Sequence, residues 1–181
     1  MNIFKRFKTN LSGCYFLKQE SFLDERGAFT KIYNDDAFRD LGIDISFKEQ
    51  FFTSSNKDVI RGMHFQTPPY DHEKLVTCIT GRVLDVLLDL RVQSKTYSKY
   101  EAFELNSITK DSIFIPKGIA HGFLSLESDS IVLYSTSKGY YKDYDMGIHW
   151  DSFDFKWPCV KPIVSSRDNS HSIFNNFISP F

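Results

Sequence analysis

Residues 47–91 read FKEQFFTSSNKDVIRGMHFQTPPYDHEKLVTCITGRVLDVLLDLR, in which short apolar and β-branched runs are separated by residues that favour turns. Four similar runs follow, and they read KYEAFELN, SIFIP, HGFLSLE and SIVLYSTS. Runs of about four to eight such residues with Gly, Pro, Asn or Asp between them are typical of strands. The pattern predicts an antiparallel β-sandwich or barrel.

One short helix is predicted in this β-rich chain, at residues 34–42 (NDDAFRDLG). Asn34 or Asp35 can cap its first turn, and Gly42 can end it. After Tyr140 the chain is aromatic-rich and irregular, and the polar tail from residue 169 is predicted to be only partly ordered.

Length, composition and charge limit the classes of protein to consider. A chain of 181 residues with 41% hydrophobic content predicts one domain spanning residues 1–181. The 22 basic and 23 acidic residues form no basic stripe, which argues against a nucleic-acid partner. Three cysteines without a CxxC pair argue against a disulfide framework and a cysteine zinc site. With no signal-like or membrane-spanning segment, we expect a cytoplasmic protein with no membrane partner.

The strand VIRGMHFQ carries a cation, an imidazole and an amide close together. Strict alternation would place His64 and Gln66 on one face and Arg61 on the other, although Gly62 could host a bulge that changes this. An isolated histidine in an apolar strand is usually a hydrogen-bonded core residue. The polar neighbours of His64 favour a functional site instead.

A second histidine follows a turn in the segment IPKGIAHGF. Ala120 and Gly122 on either side of His121 would let another group approach closely, but a histidine that only satisfies the turn backbone is an equal alternative. Taken alone, Tyr134 and Asp168 are typical of a half-buried strand tyrosine and a surface aspartate.

Several segments, taken in order, resemble the dTDP-4-dehydrorhamnose 3,5-epimerase family of the cupin superfamily. They are DERGAF (24–29), VIRGMHFQ (59–66), PP and KLV (68–76), GRVLDVLLDLR (81–91), IPKGIAHGF (115–123), LY (133–134), GIHW (147–150) and SSRD (165–168). RGMHFQ, AHGF and SRD at these separations form a specific combination. The resemblance implies a mainly β, double-stranded β-helix (jelly-roll, cupin-like) barrel with a few short helices, assembled as a homodimer.

The resemblance also implies roles for individual residues. His64 matches the family's base, Asp168 matches the aspartate paired with that base, and Tyr134 matches the proposed acid. The positions implied for substrate binding are Arg26, Phe29, Gln50, Arg61, Gln66, Lys74 and His121. Because family dimers exchange N-terminal strands, Arg26 and Phe29 are expected to reach the nucleotide site of the partner protomer.

A metal site is the main chemical alternative. Cupin barrels often hold a metal with three histidines and a carboxylate, for which the candidates are His64, His72, Glu73 and His121. The usual HxH step is absent, because Gln66 stands at its second position. We therefore expect a site with no metal and no cofactor.

The implied activity is epimerisation of a nucleotide-linked 4-keto-6-deoxy sugar at C3, C5 or both, through an enolate. It would belong to dTDP-rhamnose and surface polysaccharide biosynthesis. Phe52, Ser135 and a longer SKGYY segment depart from the family pattern near expected ligand positions. The alternatives are a single-centre epimerase acting on another nucleotide sugar, a metal-dependent cupin enzyme, and a non-catalytic sugar-binding jelly roll.

Overall fold

The computed structural model describes residues 3–181, and most of its regular structure is β-strand. The strands in chain order are β1 (Phe4–Lys8), β2 (Tyr15–Gln19), β3 (Ser21–Asp24), β4 (Gly27–Thr30), β5 (Glu49–Ser55), β6 (Val59–Gln66), β7 (Lys74–Thr80), β8 (Arg82–Asp89), β9 (Tyr100–Asn106), β10 (Ser112–Ile115), β11 (Ile119–Ser125), β12 (Ser130–Thr136), β13 (Asp145–Gly147) and β14 (Ile163–Val164). The helices are α1 (Asp35–Asp40) and α2 (Ser166–Asn169), with 3₁₀ turns at Lys142–Tyr144 and Phe174–Asn176. Across residues 3–181, no helix has the length and apolar character that a membrane crossing needs.

Two sheets make up the barrel. The first has the order β1-β2-β10-β7-β12-β5, and the second has the order β13-β6-β11-β8-β9, with β14 beside β6. From β5 to β12 the chain passes repeatedly from one sheet to the other, which is the topology of a double-stranded β-helix. Strands β3 and β4 form a separate hairpin. The predicted mainly β jelly roll with a few short helices is confirmed.

The main core lies between the two sheets. It is built from alternate residues of strands on both sides, as strands with one face toward a core require. Its buried members are Leu11, Cys14, Val76, Cys78, Val83, Leu87, Leu105, Ile113, Ile115, Ile119, Phe123, Val132 and Tyr134. The three cysteines of the chain are free thiols.

The C-terminal segment covers the outer face of the second sheet. Phe65 of β6 packs edge-on against Phe177 and Phe181, with ring centroids 5.4 and 5.8 Å apart. Met63 and Trp157 are buried in the same cluster. The tail that the sequence predicts to be partly ordered thus lies in this structure against the back of the strand that carries His64.

Helix α1 covers part of the outer face of the first sheet. The Asn34 side chain caps the helix by accepting a hydrogen bond from the Ala37 N–H at 3.0 Å. Phe38 is buried against Phe4 with ring centroids 5.2 Å apart. Gly42 follows in the left-handed region, with φ of 73°. The helix predicted at residues 34–42 is confirmed.

A bulge in β6 changes which side chains share a face. His64 pairs with His121 and Arg61 pairs with Phe123, so three steps along β6 match two along β11. Gly62 lies in the extra step with φ of 133°, which favours glycine. The predicted bulge is confirmed, and it brings Arg61 and His64 to the same cavity.

Candidate active site

A cavity of about 290 Å³ lies between the two sheets and collects polar side chains from both. Its lining consists of Glu49, Phe51, Thr53, Arg61, His64, Phe65, Gln66, His72, Lys74, His121, Phe123, Tyr134, Thr136, Tyr140, Asp145 and Arg167. A mixed apolar and polar concave surface of this kind is typical of a small-molecule site.

Asp168 orients the His64 imidazole through a hydrogen bond. His64 Nε2 lies 2.9 Å from Asp168 Oδ1, and the Gly62 N–H donates to Asp168 Oδ2 at 3.1 Å. The Ser165 hydroxyl caps α2 by accepting from the Asp168 N–H at 3.1 Å, which fixes the aspartate. With Nε2 engaged, Nδ1 is the ring nitrogen of His64 that remains available to accept a proton.

Burial favours the neutral form of this imidazole. It lowers the pKa of His64 below its ordinary value, and the Asp168 carboxylate opposes the shift only in part. For Asp168, burial acts to raise the pKa of the carboxyl group. The combined effect of His171, His64 and the Gly62 N–H is larger and holds that pKa far below its usual range. At neutral pH the pair is therefore a neutral imidazole beside a carboxylate.

Tyr134 reaches the cavity from the opposite sheet. It belongs to β12 in the first sheet, whereas His64 belongs to β6 in the second. Its ring stacks on Phe51 with centroids 4.7 Å apart, and its side chain is buried. Burial, with a further contribution from the charge of Asp85, raises the pKa of the Tyr134 phenol well above its ordinary value. The phenol therefore keeps its proton at neutral pH and can donate it.

Lys74 places a buried ammonium group beside the base. Its Nζ donates to the His64 carbonyl oxygen at 3.0 Å. Burial lowers the pKa of Lys74 to about 8, so the group is still mostly charged at neutral pH. A desolvated cation in a cavity is well suited to stabilise negative charge that develops on a substrate oxygen.

His121 forms a second buried histidine–aspartate pair. Its Nε2 lies 2.7 Å from Asp85 Oδ2, and both side chains are almost completely buried. The edge of the His121 ring contacts the Tyr134 ring at a centroid distance of 5.8 Å. The interpretation of His121 as a residue that only satisfies a turn is wrong, because it lies within β11 and lines the cavity.

Arg61 and Gln66 line the cavity and are oriented by neighbouring protein groups. Arg61 Nε donates to Ser55 Oγ at 3.0 Å. Within residues 3–181, no carboxylate oxygen lies within 4 Å of the Arg61 guanidinium. Gln66 Nε2 donates to the Tyr70 carbonyl at 2.8 Å, and its Oε1 accepts from the Tyr141 N–H at 2.6 Å. Gln66 thus ties two loops to the mouth of the cavity.

The other three residues predicted to bind substrate lie outside this cavity in the described chain. Arg26 pairs with Asp24 on the β3–β4 hairpin at 2.5 Å, and Phe29 on the same hairpin is 60% exposed. Gln50 points to the outer side of β5, where it donates to Ser135 Oγ at 2.9 Å. The assignment of these residues to a binding site, including one shared with a partner protomer, stays a prediction.

The alternative metal set expected from the sequence consisted of His64, His72, Glu73 and His121. Two of these residues have other partners in the structure. Glu73 accepts a hydrogen bond from the Ser137 hydroxyl, and His121 pairs with Asp85. Within residues 3–181, the only group of three potential ligands whose atoms lie within 4.8 Å of one another is a different one. It consists of His64, Asp168 and His171.

Several residues in or beside the cavity were not identified from the sequence. Asp85 carried a signal, because an acidic residue inside the apolar strand VLDVLL must find a buried partner. Asp145 and Arg167 pair with each other at 2.5 Å across a long sequence separation, which no local pattern indicates. His171 lies in the polar tail, where nothing in the neighbouring sequence marks it.

Comparison with known proteins identifies the family. A family model described as dTDP-4-dehydrorhamnose 3,5-epimerase matches residues 8–176. The dTDP-4-dehydrorhamnose 3,5-epimerase of Methanothermobacter thermautotrophicus is 38% identical over 172 residues, covering 92% of each chain.

Two solved structures have the same fold and similar length. The Bacillus anthracis dTDP-4-dehydrorhamnose 3,5-epimerase with TDP and PPi bound has a TM-score of 0.91 and 33% identity, covering 94% of this chain and 99% of its own. A Legionella pneumophila dTDP-6-deoxy-D-glucose-3,5-epimerase in complex with dTDP-4-keto-L-rhamnose has a TM-score of 0.92 and 27% identity, covering 97% and 95% respectively. The family model and the extent of these likenesses show that the chain belongs to the dTDP-4-dehydrorhamnose 3,5-epimerase family.

Proposed function

We propose that this protein is an isomerase that inverts C3 and C5 of a dTDP-linked 4-keto-6-deoxy sugar, converting dTDP-4-dehydro-6-deoxyglucose to dTDP-4-dehydrorhamnose. The observation that carries the proposal is the placement of His64 and Tyr134 on opposite sheets around one cavity. Inversion of a carbon centre requires proton removal from one face and proton delivery to the other. The names and bound ligands of the relatives support this choice of substrate.

The first chemical step is proton removal by His64. C3 and C5 both flank the C4 ketone, so the loss of either proton leaves an enolate whose charge lies on one oxygen. Nδ1 of the neutral imidazole accepts the proton, and the Asp168 carboxylate stabilises the imidazolium that forms. Burial of the Asp168 side chain, which is only 5% exposed, strengthens this charge pairing.

Lys74 stabilises the charge on the enolate oxygen. Its ammonium group is desolvated and lies next to the backbone of His64, close to where the reaction begins. An interaction of this kind is stronger in the transition state than with the neutral ketone, and so it lowers the barrier.

Tyr134 completes the inversion by protonating the carbon from the opposite face. Its phenol becomes a phenolate as the C–H bond forms, and His64 retains the proton that it removed. Proton exchange with water then restores the phenol and the neutral imidazole before the second centre reacts. This sequence moves only protons and needs no metal or redox group.

The nucleotide is proposed to bind in a homodimer. The Arg61 guanidinium is placed to attract the diphosphate, since arginine matches phosphate geometry. Arg26, Phe29 and Gln50 would contact the nucleotide across the dimer. Support for an exchanged hairpin comes from Leu23 and Phe29, which are 78% and 60% exposed on β3 and β4. We also propose that the protein acts in the cytoplasm.

The test is deuterium incorporation from D₂O into dTDP-4-keto-6-deoxyglucose, with the label located by NMR and mass spectrometry. Label at both C3 and C5 of the inverted product would support the proposal. Label at one carbon would instead identify a single-centre epimerase. If folded protein labels no nucleotide-linked keto sugar, the proposal is wrong and a sugar-binding role is favoured. Activity that survives chelator treatment would exclude a metal-dependent reaction.

A further inference from the structure

The proposed epimerisation uses His64 and Asp168 but not His171, which completes a cluster of potential metal ligands with them. Candidate ligand atoms of the three residues lie within 4.8 Å of one another. His171 Nε2 is buried, and within residues 3–181 it has no hydrogen-bond partner. It lies 3.7 Å from Asp168 Oδ1, which is too far for a hydrogen bond. A buried polar atom that lies near a carboxylate without bonding to it is a feature that a bound ion would explain.

We propose that His64, Asp168 and His171 bind a Zn²⁺ ion, and that the bound ion switches off the base of the epimerase. This inference rests on the proposed function for its consequence, but not for the binding itself. Two histidines and a carboxylate form a known set of protein ligands for zinc, with water completing the tetrahedron.

The distances in the cluster suit an ion of this size. Zinc bonds to nitrogen and oxygen ligands at about 2.0–2.2 Å, so tetrahedral ligand atoms lie about 3.4 Å apart. The distances from Asp168 Oδ1 to His64 Nε2 and His171 Nε2 are 2.9 and 3.7 Å, on either side of that value. Shifts of about half an ångström in the side chains would therefore admit the ion.

The cluster is already oriented for binding. The Gly62 N–H occupies Asp168 Oδ2, which leaves Oδ1 directed toward the two imidazoles. The His171 ring lies against Gly147, where an added Cβ would be 2.4 Å from the ring. Gly147 itself pairs with His64 in the β13–β6 ladder. These contacts from Gly62 and Gly147 fix the orientation of the candidate ligands, so less entropy is lost when an ion binds.

An entry route and a partly neutralised environment support the same site. A second cavity of about 340 Å³ opens beside His64 and Asp168, lined in part by Ser165 and Arg167. The positive charge of Arg167 is paired with Asp145. The charges of Lys74 and Arg167 both act against positive charge at His64, which weakens binding of the ion without removing any ligand.

Binding would inactivate the base through a change of tautomer. In the free protein the proton of neutral His64 lies on Nε2 and points to Asp168, which leaves the Nδ1 lone pair available. Zinc bound at Nε2 moves that proton to Nδ1. The nitrogen that must accept the substrate proton is then already protonated, and the carboxylate that stabilises the imidazolium is bound to the ion.

Zinc binding is tested first on chelator-treated protein by calorimetric titration with ZnCl₂. We expect one Zn²⁺ per wild-type chain and affinity at least about 100-fold weaker in His171→Asn, because loss of a supporting residue alone costs 10–100-fold. His149→Asn is the matched control, since His149 stacks on Trp150 outside the cluster. Equal zinc affinity in wild type and His171→Asn would overturn the proposal.

Histidine NMR on the wild-type protein tests the site without any substitution. We expect Zn²⁺ to shift the ring resonances of His64 and His171 and to leave those of His149 unchanged. Saturation with Zn²⁺ that shifts only His149 or His72 would show that the ion binds elsewhere. This measurement decides the question even if His171→Asn fails to fold.

Activity separates failure of the zinc site from failure of the epimerase proposal. We expect Zn²⁺ to inhibit wild-type epimerisation reversibly, with EDTA restoring the rate, whereas the rate that His171→Asn shows without zinc should not fall when zinc is added. If the protein epimerises the keto sugar but its zinc affinity does not depend on His171, the zinc proposal is wrong and the epimerase proposal stands. Protein that binds zinc through His171 but epimerises no keto sugar would support the site and refute the epimerase.

Discussion

The hydrogen bond from His64 to Asp168 determines which atom can act as the base. Because Nε2 is engaged at 2.9 Å, the proposed proton acceptor is Nδ1. Burial lowers the pKa of this imidazole, so it is available as a base at neutral pH. Burial raises the pKa of Tyr134, so the phenol keeps its proton under the same conditions. One physical cause, desolvation, thus prepares the two residues for opposite roles.

Lys74 should produce the alkaline limb of the pH profile. Its pKa of about 8 means that the ammonium form is lost as pH rises through that value, so kcat/KM should fall above about pH 8. Lys74→Met should lower kcat by about 10²–10³-fold and remove this limb from the remaining activity.

Lys117→Met is the control for that experiment, because Lys117 is 43% exposed and lies 3.9 Å from Glu73, outside the cavity lining. It should keep both the rate and the limb. An unchanged limb in Lys74→Met would show that another group causes it.

At the scale of elements, the bulge in β6 is what assembles the cavity face of this strand. A regular strand would direct Arg61 away from His64, and the extra step at Gly62 brings both to the same side. The bulge also lets β6 and β11 approach closely, since a Cβ at Gly62 would lie 2.5 Å from Gly122 Cα. Local backbone shape and the position of the base are therefore coupled.

Gly62→Ala should be costly to both stability and activity. The φ of 133° and the contact with Gly122 Cα are incompatible with a side chain, so we expect a loss on the order of 3 kcal/mol in the free energy of unfolding. The kcat of the remaining folded protein should also fall, because Gly62 donates to Asp168. Denaturant titration and steady-state kinetics measure the two effects.

Gly139→Ala provides the comparison, because a Cβ at that position would meet nothing within 4 Å. Its effect should stay within about 0.5 kcal/mol. Similar stabilities for the two variants would show that the bulge does not require glycine.

Strands β5 to β12 and helix α1 could be predicted because their signals are local. Alternating burial, turn residues and the Asn34 cap are all visible within a few residues. The pairing of Asp85 with His121 and the contact of His171 with Gly147 join distant segments, and no single-sequence pattern encodes them. The resemblance to a family predicted the pairing of His64 with Asp168. Which ring nitrogen of His64 remains available as the base followed only from the structure.

At the scale of the whole molecule, the residues proposed to bind the nucleotide are divided between two regions. Arg61 lies in the cavity, but Arg26 and Phe29 lie on the β3–β4 hairpin outside it. A homodimer in which each hairpin completes the partner's site would bring them together. Light scattering should then give twice the chain mass.

Mixed dimers test that arrangement directly. One protomer carries His64→Asn, and the other carries Arg26→Ala with Phe29→Ala. If the hairpin serves the partner, the mixed dimer contains one intact site, and its activity should rise to roughly half that of wild type, far above either parent. If the hairpin serves its own protomer, each site has a defect and activity should not recover.

The most direct test of the two-sided proton transfer compares wild type, His64→Asn and Tyr134→Phe in D₂O with dTDP-4-keto-6-deoxyglucose. We expect inverted, labelled product from wild type and no label with His64→Asn. With Tyr134→Phe we expect deuterium in the recovered substrate without inversion, because the base still exchanges the proton on its own face. Inversion by Tyr134→Phe at the wild-type rate, or label that does not depend on His64, would contradict the assignment of base and acid.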